Sequence, residues 1–344
     1  MKTQDIVMVT DYHAKAISYR RFDASSGEER TFSGPTDREA IEKVLEEAQS
    51  IARPRGGDVV WIMESTTGWA RMEALLGDRA KFMLANVLQL PLPPKARRRK
   101  TGKLDTARML REYLHGSLPE AHGPDETWRQ ARRIVSLRED LVGRRRQLRN
   151  QIKAYFAHET WETTYFWTVK GMAQLDRLIA SLPASDQFFL QTKVDELEAL
   201  EKSLSKVLAQ LLQWYRQWPD AQRLDAIRGV AEVAAVSIVA RIGPIDRFAT
   251  PEQLIAYAGL APGVRQSDET SRHLSIGGGG TDKQLRHYLI EATIWARQIP
   301  RYRDTYERVA AKRGKKVARI TVARMMLRSI HKMLTDGVPF RAAA

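Results

Sequence analysis

Three acidic residues stand at the ends of predicted secondary-structure elements, where side chains from separate elements can converge on one site. Asp11 follows the apolar, β-branched run 6–10, and Glu64 follows the continuous apolar run 59–63. Asp105 stands at the start of a helical pattern, where an N-cap is the alternative role for an aspartate. Converging carboxylates hold Mg²⁺ or Mn²⁺, which can activate a nucleophile and stabilise an in-line displacement at phosphorus. Glu64 argues most strongly for such a site, because a buried carboxylate needs a partner or a metal.

Ser267 is a candidate nucleophile in a polar segment, residues 262–281, which we predict to be a loop. His273 is close to it in sequence, but a lone histidine is more often a packing or surface residue than a general base. The glycine run 277–280 lacks the Lys-Ser/Thr ending of a nucleotide-binding loop, so we expect a flexible connector there. Other hydroxyls in the segment compete for the same role, namely Thr270, Ser271 and Ser275.

The positive charge of the chain is concentrated in two stretches. The net charge is +15, from 56 basic and 41 acidic residues. Residues 95–156 carry 17 basic and 7 acidic groups, and residues 295–344 carry 13 and 3, whereas the remaining segments are slightly acidic. Clustered cations of this density favour a polyanionic partner, because bound phosphates release counterions. The candidate nucleic-acid-binding residues are Arg97, Arg98, Arg99, Lys100, Arg144, Arg145, Arg146, Lys315 and Lys316.

Composition excludes several other classes of protein. The 344 residues include no cysteine, which rules out disulfides, thiol catalysis, iron–sulfur clusters and cysteine-bound zinc. An apolar fraction of 43% is enough for a real core. The sequence contains no apolar run of about 18 residues and no signal-peptide pattern at its start. We therefore expect a soluble, cytoplasmic protein with no membrane partner.

The first hundred residues alternate strand and helix patterns, which predicts a mixed α/β domain. Runs 6–10 and 16–22 read as paired strands, and runs 59–63 and 81–85 as further strands. Thr36 with Glu39 forms a capping box before a helix.

The rest of the chain is predicted to be helical. Apolar residues spaced 4 and 3 apart from Leu190 to Trp218 form a heptad seam that is interrupted by Glu201. Its partner is either the preceding long helix, 128–156, or another subunit. The fold class we expect is α/β plus α, with domains at 1–120, 121–220 (long helices, coiled coil) and 221–344 (helical, with the serine loop).

The order of four short motifs resembles a known family. They are Val9-Thr10-Asp11, the stretch 62–68 (Ile-Met-Glu-Ser-Thr-Thr-Gly), the stretch 100–107 (Lys-Thr-Gly-Lys-Leu-Asp-Thr-Ala), and the stretch 256–262 (Ala-Tyr-Ala-Gly-Leu-Ala-Pro) followed by Gln266-Ser267. Over nearly the whole chain they resemble insertion-sequence transposases of the IS110 type, relatives of the Piv DNA invertases that are also called bridge-RNA-guided recombinases.

The resemblance implies a fold and a chemistry. It implies an N-terminal ribonuclease-H-like (RuvC-like) domain with a DEDD carboxylate set, a coiled-coil middle and a helical C-terminal domain that supplies a catalytic serine. Carried over by position, Asp11, Glu64 and Asp105 become ligands of Mg²⁺ or Mn²⁺, and Ser267 becomes the nucleophile that forms a phosphoserine link to DNA. The implied partners are DNA (element ends and target), a structured guide RNA, and further copies of the chain in a dimer or tetramer.

Two departures from the family pattern bear on activity. Gly102 stands where the family has its third acid, so three of the four carboxylates remain. Asp268 and Glu269 follow Ser267 where glycine is usual, and their charge opposes attack on a phosphate unless metal or arginine offsets it; Arg265 and Arg272 are the nearest candidates. The alternatives are therefore a metal-dependent, structure-specific nuclease and a catalytically impaired nucleic-acid-binding relative.

Overall fold

A computed structural model of the chain describes residues 2–66, 68–90, 102–157, 165–261, 263–267, 270–274, 276–277 and 280–340. Its contacts divide the chain into two compact units, residues 1–123 and residues 124–344. The predicted boundary within the second unit, near residue 220, stays a prediction.

The first unit is built on a five-stranded mixed sheet. The strands are β1 (Ile6–Tyr12), β2 (Ile17–Asp23), β3 (Glu29–Gly34), β4 (Val59–Glu64) and β5 (Lys81–Ala85). Their order is β3-β2-β1-β4-β5, in which β1, β4 and β5 run parallel and β2 runs antiparallel to both of its neighbours. The predicted strands are therefore present. Strand β3 was not predicted, because its side chains are mostly exposed and show no apolar alternation.

Helices cover both faces of this sheet. Helices α1 (Arg38–Ala52) and α2 (Trp69–Leu76) pack on one face with Met8, Trp61 and Met63. Helix α3 (Gly102–Leu114) packs on the other face, where its Met109 and Leu110 meet three valines and one isoleucine of β1 and β4. Because side chains alternate along a strand, the buried runs of β1 and β4 serve both layers at once. This explains why both strands read as continuous apolar runs in the sequence.

The second unit is helical except for one hairpin. Its helices are α4 (Glu126–Tyr155), α5 (Val169–Ala180), α6 (Ala184–Gln217), α7 (Pro219–Asp225), α8 (Glu232–Ile242), α9 (Pro251–Tyr257), α10 (Lys283–Ala296), α11 (Pro300–Arg313) and α12 (Lys315–Asp336). Its main core joins residues of α4, α6 to α10 and α12, with the fully buried Tyr302 of α11.

The heptad seam of α6 faces α4 of the same chain. The seam residues Leu190, Val194 and Leu197 are buried with Leu148 and Ile152 of α4. Glu201, its polar interruption, accepts hydrogen bonds from Arg145 (3.4 Å) and Arg149 (2.8 Å) of α4. The polar position is thus paired across the helices, and the intrachain alternative accounts for the seam.

Polar side chains cap several helix starts. Thr250 accepts a hydrogen bond from the backbone amide of Gln253. Asp37 caps α1 in place of the predicted Thr36, and Asp282 caps α10. In both cases the aspartate directly follows a threonine, and aspartate is the better N-cap acceptor.

The prediction of a polar loop around Ser267 was wrong. Strands β6 (Gly263–Ser267) and β7 (Thr270–Leu274) pair antiparallel, with Ser267 opposite Thr270. Only residues 268 and 269 connect them, and two residues are the commonest length for a hairpin connection. Polarity alone could not distinguish this hairpin from a loop.

Two glycines of the helical unit predict opposite effects of an added methyl group. A β-carbon at Gly171 in α5 would stand 1.7 Å from the carbonyl oxygen of Tyr165, whereas one at Gly143 in α4 would meet nothing within 4 Å. We expect Gly171→Ala to lower the free energy of unfolding by about 1–3 kcal/mol through overpacking. Gly143→Ala should raise it by about 1 kcal/mol through helix propensity. Urea unfolding of both variants checks this, and equal effects would contradict the tight approach at Gly171.

Candidate functional site

Two of the predicted acids lie on neighbouring strand ends. Strands β1 and β4 pair in parallel register up to Thr10 and Met63, and Asp11 and Glu64 each follow one residue later. Parallel register places both residues at the same edge of the sheet. Alternation along the strands puts Asp11 with Val7 and Val9, and Glu64 with Val60 and Ile62, on the face covered by α3.

The third acid comes from the helix on that same face. Asp105 lies in the first turn of α3, one turn before the buried Met109. The next residue, Thr106, accepts a hydrogen bond from Nε of Arg20 on β2 at 3.2 Å. Because α3 begins at Gly102, Asp105 is a first-turn residue and does not cap the helix. The structure thus places Asp11, Glu64 and Asp105 on elements that share one face of the sheet.

The surroundings of these acids differ. The Asp11 side chain is only 8% exposed, and its Oδ2 lies 3.1 Å from Nε2 of His13, whose own side chain is 68% exposed. Asp105 forms an ion pair with Arg108 at 3.4 Å. Burial of the Asp11 carboxylate favours binding of a positive ion, because a buried charge is poorly solvated. His13 was not among the site residues predicted from the sequence.

The acids fit a metal in kind. All three offer carboxylate oxygens, the ligands that Mg²⁺ and Mn²⁺ prefer. Among the residues that the structure describes, however, no three acidic or histidine side chains form a group that could hold one ion. Gly102 contributes no side-chain ligand at the start of α3. The described residues therefore offer carboxylate oxygens at neighbouring strand ends, and these carboxylates are not assembled into a metal-binding group.

Arg20 is a second residue that the sequence reasoning missed. Its side chain is 9% exposed, and it forms an ion pair with Glu29 of β3 in addition to its bond to Thr106. Burial lowers the pKa of the guanidinium. Arg20 ties α3 to the sheet next to Asp105. The signal that could have found it is a charged residue at an inward position of an apolar strand.

The hairpin of the second unit carries Ser267 at the end of β6. The register pairs Arg265 with Arg272 and Gln266 with Ser271. The two arginines that could offset nearby negative charge are therefore directly opposite one another in the backbone. Asp268 and Glu269 lie outside the described residues.

The segment before the hairpin is held by side chains of other helices. Arg324 of α12 donates from Nε to the carbonyl of Leu260 at 2.7 Å, and burial lowers the pKa of its guanidinium. Tyr257 donates to the carbonyl of Arg241 at 3.1 Å. Arg247 lies 4.3 Å from the centre of the Tyr257 ring, and burial lowers the pKa of Arg247 as well. The hairpin thus starts from a fixed base.

The predicted nucleic-acid-binding residues have different surroundings. Arg144 forms an ion pair with Asp140, and Arg145 with Glu201, whereas Arg146 is exposed. Lys315 and Lys316 are exposed in the first turn of α12, which has no acidic residue there. Arg145 therefore serves the α4–α6 contact. The other four, Arg97, Arg98, Arg99 and Lys100, lie outside the described residues.

The chain is similar to known proteins both in the region that contains Ser267 and over longer stretches. Residues 221–307, which include the hairpin, match the profile described as the Transposase IS116/IS110/IS902 family. The chain is 28% identical over 204 residues to the "Putative transposase y4qE" of Sinorhizobium fredii, covering 59% of this chain and 49% of that protein. It is 29% identical over 172 residues to the "Insertion element IS110 uncharacterized 43.6 kDa protein" of Streptomyces coelicolor, covering 49% of this chain and 39% of that protein.

The matched part spans about half, or less, of the length of these two relatives. Within the described part of the chain, none of the helices combines the length and the apolarity that a membrane crossing requires. The family resemblance inferred from the motifs is thus confirmed by independent comparisons. Residues 221–307 are thus similar to the Transposase IS116/IS110/IS902 family domain, and the chain more widely is similar to IS110-type transposases.

Proposed function

We propose that the chain is a DNA transposase, a site-specific recombinase of an insertion sequence that cuts and rejoins DNA through Ser267. The observation that carries the proposal is that the matched family domain, residues 221–307, contains the hairpin on which Ser267 stands. The basic stretches around residues 95–156 and 295–344 support a phosphate-rich partner.

The first unit supplies the carboxylates in this proposal. The strand order β3-β2-β1-β4-β5, with helices on both faces, supports a ribonuclease-H-like (RuvC-like) interpretation of that unit. Asp11, Glu64 and Asp105 would hold Mg²⁺ or Mn²⁺ at the shared edge. A bound ion there supplies charge stabilisation to a phosphate that gains negative charge during displacement.

The serine performs the bond exchange. Oγ of Ser267 attacks a backbone phosphorus, the new serine–phosphate bond forms, and the bond from phosphorus to one sugar oxygen breaks. The serine proton goes to solvent or a base, and the released sugar oxygen takes up a proton. Attack by a sugar hydroxyl of another strand reverses these steps and frees the serine. Since each step exchanges one phosphodiester for another, no ATP is consumed.

The proposal also includes assembly of several copies of the chain and guidance to DNA by an RNA. The carboxylates and Ser267 belong to different units of the chain, which suits a homo-oligomer (dimer or tetramer) in which one copy's serine serves another copy's carboxylates. A structured guide RNA would occupy part of the basic surface, where clustered cations would neutralise its phosphates.

A metal-dependent nuclease is the second candidate function. The observation that favours it is that Asp11 and Glu64 share an edge without any contribution from the second unit. Such an enzyme would leave hydrolysed ends and no protein–DNA link. An impaired relative would bind nucleic acid without cutting, as the glycine at position 102 suggests.

The serine assignment predicts a covalent intermediate. We expect wild-type protein to form a DNA adduct that survives a denaturing gel, and Ser267→Ala to form none, because alanine has no nucleophilic oxygen. Ser271→Ala, on the paired strand, is the matched control and should form the adduct as wild type does. An undiminished adduct in Ser267→Ala would overturn the assignment, and hydrolysed ends without an adduct would favour the nuclease.

The proposed metal site predicts that substitutions at the two ends of β4 differ in their effect on Mn²⁺ affinity. Glu64→Gln should weaken Mn²⁺ binding by at least the roughly 10–100-fold that loss of an outer partner costs. Asp58→Asn, at the opposite end of the same strand where Asp58 pairs with Lys2, should leave it unchanged. Calorimetric Mn²⁺ titration of the full chain checks this without any DNA. Equal affinity in Glu64→Gln and wild type would remove Glu64 from the site.

The basic helix α4 predicts a salt-dependent effect. Reversal of Arg144 and Arg146 to glutamate should weaken duplex DNA binding and flatten the plot of log affinity against log salt, by roughly 0.9 for each phosphate that the variant no longer neutralises. Arg145 is left intact because it pairs with Glu201.

The control reverses Arg38 and Lys43 of α1, which are 75% and 71% exposed and change the net charge equally. It should leave the slope unchanged. If the two double variants behave alike, α4 contributes only overall charge. The amount of small RNA that copurifies with each variant tells whether RNA uses the same surface.

A further inference from the structure

The serine hairpin is flanked by two glycines with left-handed backbones. Gly259 precedes β6 and has a φ of +66°, and Gly277 follows β7 and has a φ of +89°. Residues with a side chain rarely adopt such angles, so glycine is the natural choice at both positions. The two glycines mark the points where the chain enters and leaves the hairpin segment.

One guanidinium lies against both of these points. Nη1 of Arg286, on α10, donates to the carbonyl oxygen of Gly259 at 3.3 Å. A β-carbon placed at Gly259 would lie 2.6 Å from this nitrogen, and one placed at Gly277 would lie 2.5 Å from it. The absence of side chains at both glycines is therefore what admits the guanidinium next to the backbone on either side of the hairpin.

Arginine suits this place better than any other cation. Its guanidinium is planar and rigid and carries five N–H donors, so it can pack edge-on between two backbones while it donates to a carbonyl. Within the described residues, the hydrogen bond that Arg286 donates goes to a backbone carbonyl, that of Gly259. A lysine in the same place offers one compact ammonium and cannot span both legs.

Helix α10 gives the guanidinium a fixed support. Asp282 caps the helix through the amides of Gln284 and Leu285, and its own backbone amide donates to the carbonyl of Tyr257 at 2.8 Å. Leu285 and Leu289, which flank Arg286 along the helix, are fully buried. Arg286 therefore projects from a rigid helix that is already bonded to the segment before the hairpin.

We propose that Arg286 is a positioning residue that clamps the entry and exit of the serine hairpin and thereby sets where Ser267 stands. The contacts of Arg286 with the two glycines lie within the second unit. Its consequence for reaction rests on the proposed role of Ser267 as nucleophile. A nucleophile displaced by about 1 Å loses up to roughly 100-fold in rate, so a loose hairpin base slows attack without removing the serine.

The test compares hydrogen exchange and adduct formation in the full chain. In Arg286→Ala we expect the backbone amides of residues 263–274 to exchange about tenfold faster, since each tenfold corresponds to about 1.4 kcal/mol of lost local stability. Adduct formation in a single turnover should slow by about 10–100-fold, with duplex DNA affinity unchanged. Arg286→Lys keeps the charge and should show the same faster exchange to a lesser degree.

The control is Arg297→Ala. Arg297, at the other end of α10, donates to the carbonyl of Ile294 and to the hydroxyl of Tyr306, and neither partner belongs to the hairpin legs. It should leave hairpin exchange and adduct formation as in wild type. A melting temperature measured for each variant separates a local effect from general unfolding.

Each outcome decides between the two parts of the proposal. Unchanged hairpin exchange in Arg286→Ala, or wild-type exchange in Arg286→Lys, overturns the clamp. Faster exchange with an unchanged rate of adduct formation overturns the positioning role. If wild-type protein forms no adduct at all, the proposed function fails, and hydrogen exchange still decides whether Arg286 holds the hairpin.

Discussion

The parallel pairing of β1 with β4 is the constraint on which the candidate metal edge depends. Because the two strands run in the same direction and in register up to Thr10 and Met63, their last acidic residues must end at the same edge. A slip of one residue would send Glu64 to the face covered by α1 and α2. The fully buried Val9, Met8, Trp61 and Ile62 resist such a slip, since both faces of these strands are packed. The apolar core therefore fixes the geometry of the polar edge.

In the second unit, arginine side chains donate hydrogen bonds to backbone carbonyls and so help to hold the helices in place. Arg132 donates to the carbonyls of Ala240 and Arg241, and Arg247 donates to that of Ile242, so arginines bond three of the final carbonyls of α8. The last carbonyls of a helix have no partner within the helix, and a cation there also suits the helix dipole. Some of the arginines of this chain thus have a structural role. The net charge counted along the sequence therefore overstates the number of cationic side chains that can contact nucleic acid.

The sequence predicted well what depends on local pattern. Buried strands, long amphipathic helices and the Thr250 cap follow from periodicity and from residue types that the structure uses as expected. It failed where pairing is set by distant backbone. Strand β3 has exposed side chains and the serine hairpin is polar, so neither carries an apolar signal, although both are plain in the register. Arg20 and Arg286 escaped notice for a related reason, because their partners, Thr106 and Gly259, are distant from them in the sequence.

The glycine at position 102 removes one carboxylate from the metal site that we propose. Three carboxylates carry one negative charge fewer than the four of the family pattern. The affinity of such a site for a divalent ion is therefore lower. The burial of Asp11 acts in the opposite direction, since a carboxylate that is 8% exposed is poorly solvated and gains more from a cation than an exposed one does. His13 beside it can donate a hydrogen bond and orient one carboxylate oxygen, leaving the other for a ligand. For the metal site that we propose, the lost fourth acid therefore argues against a second ion.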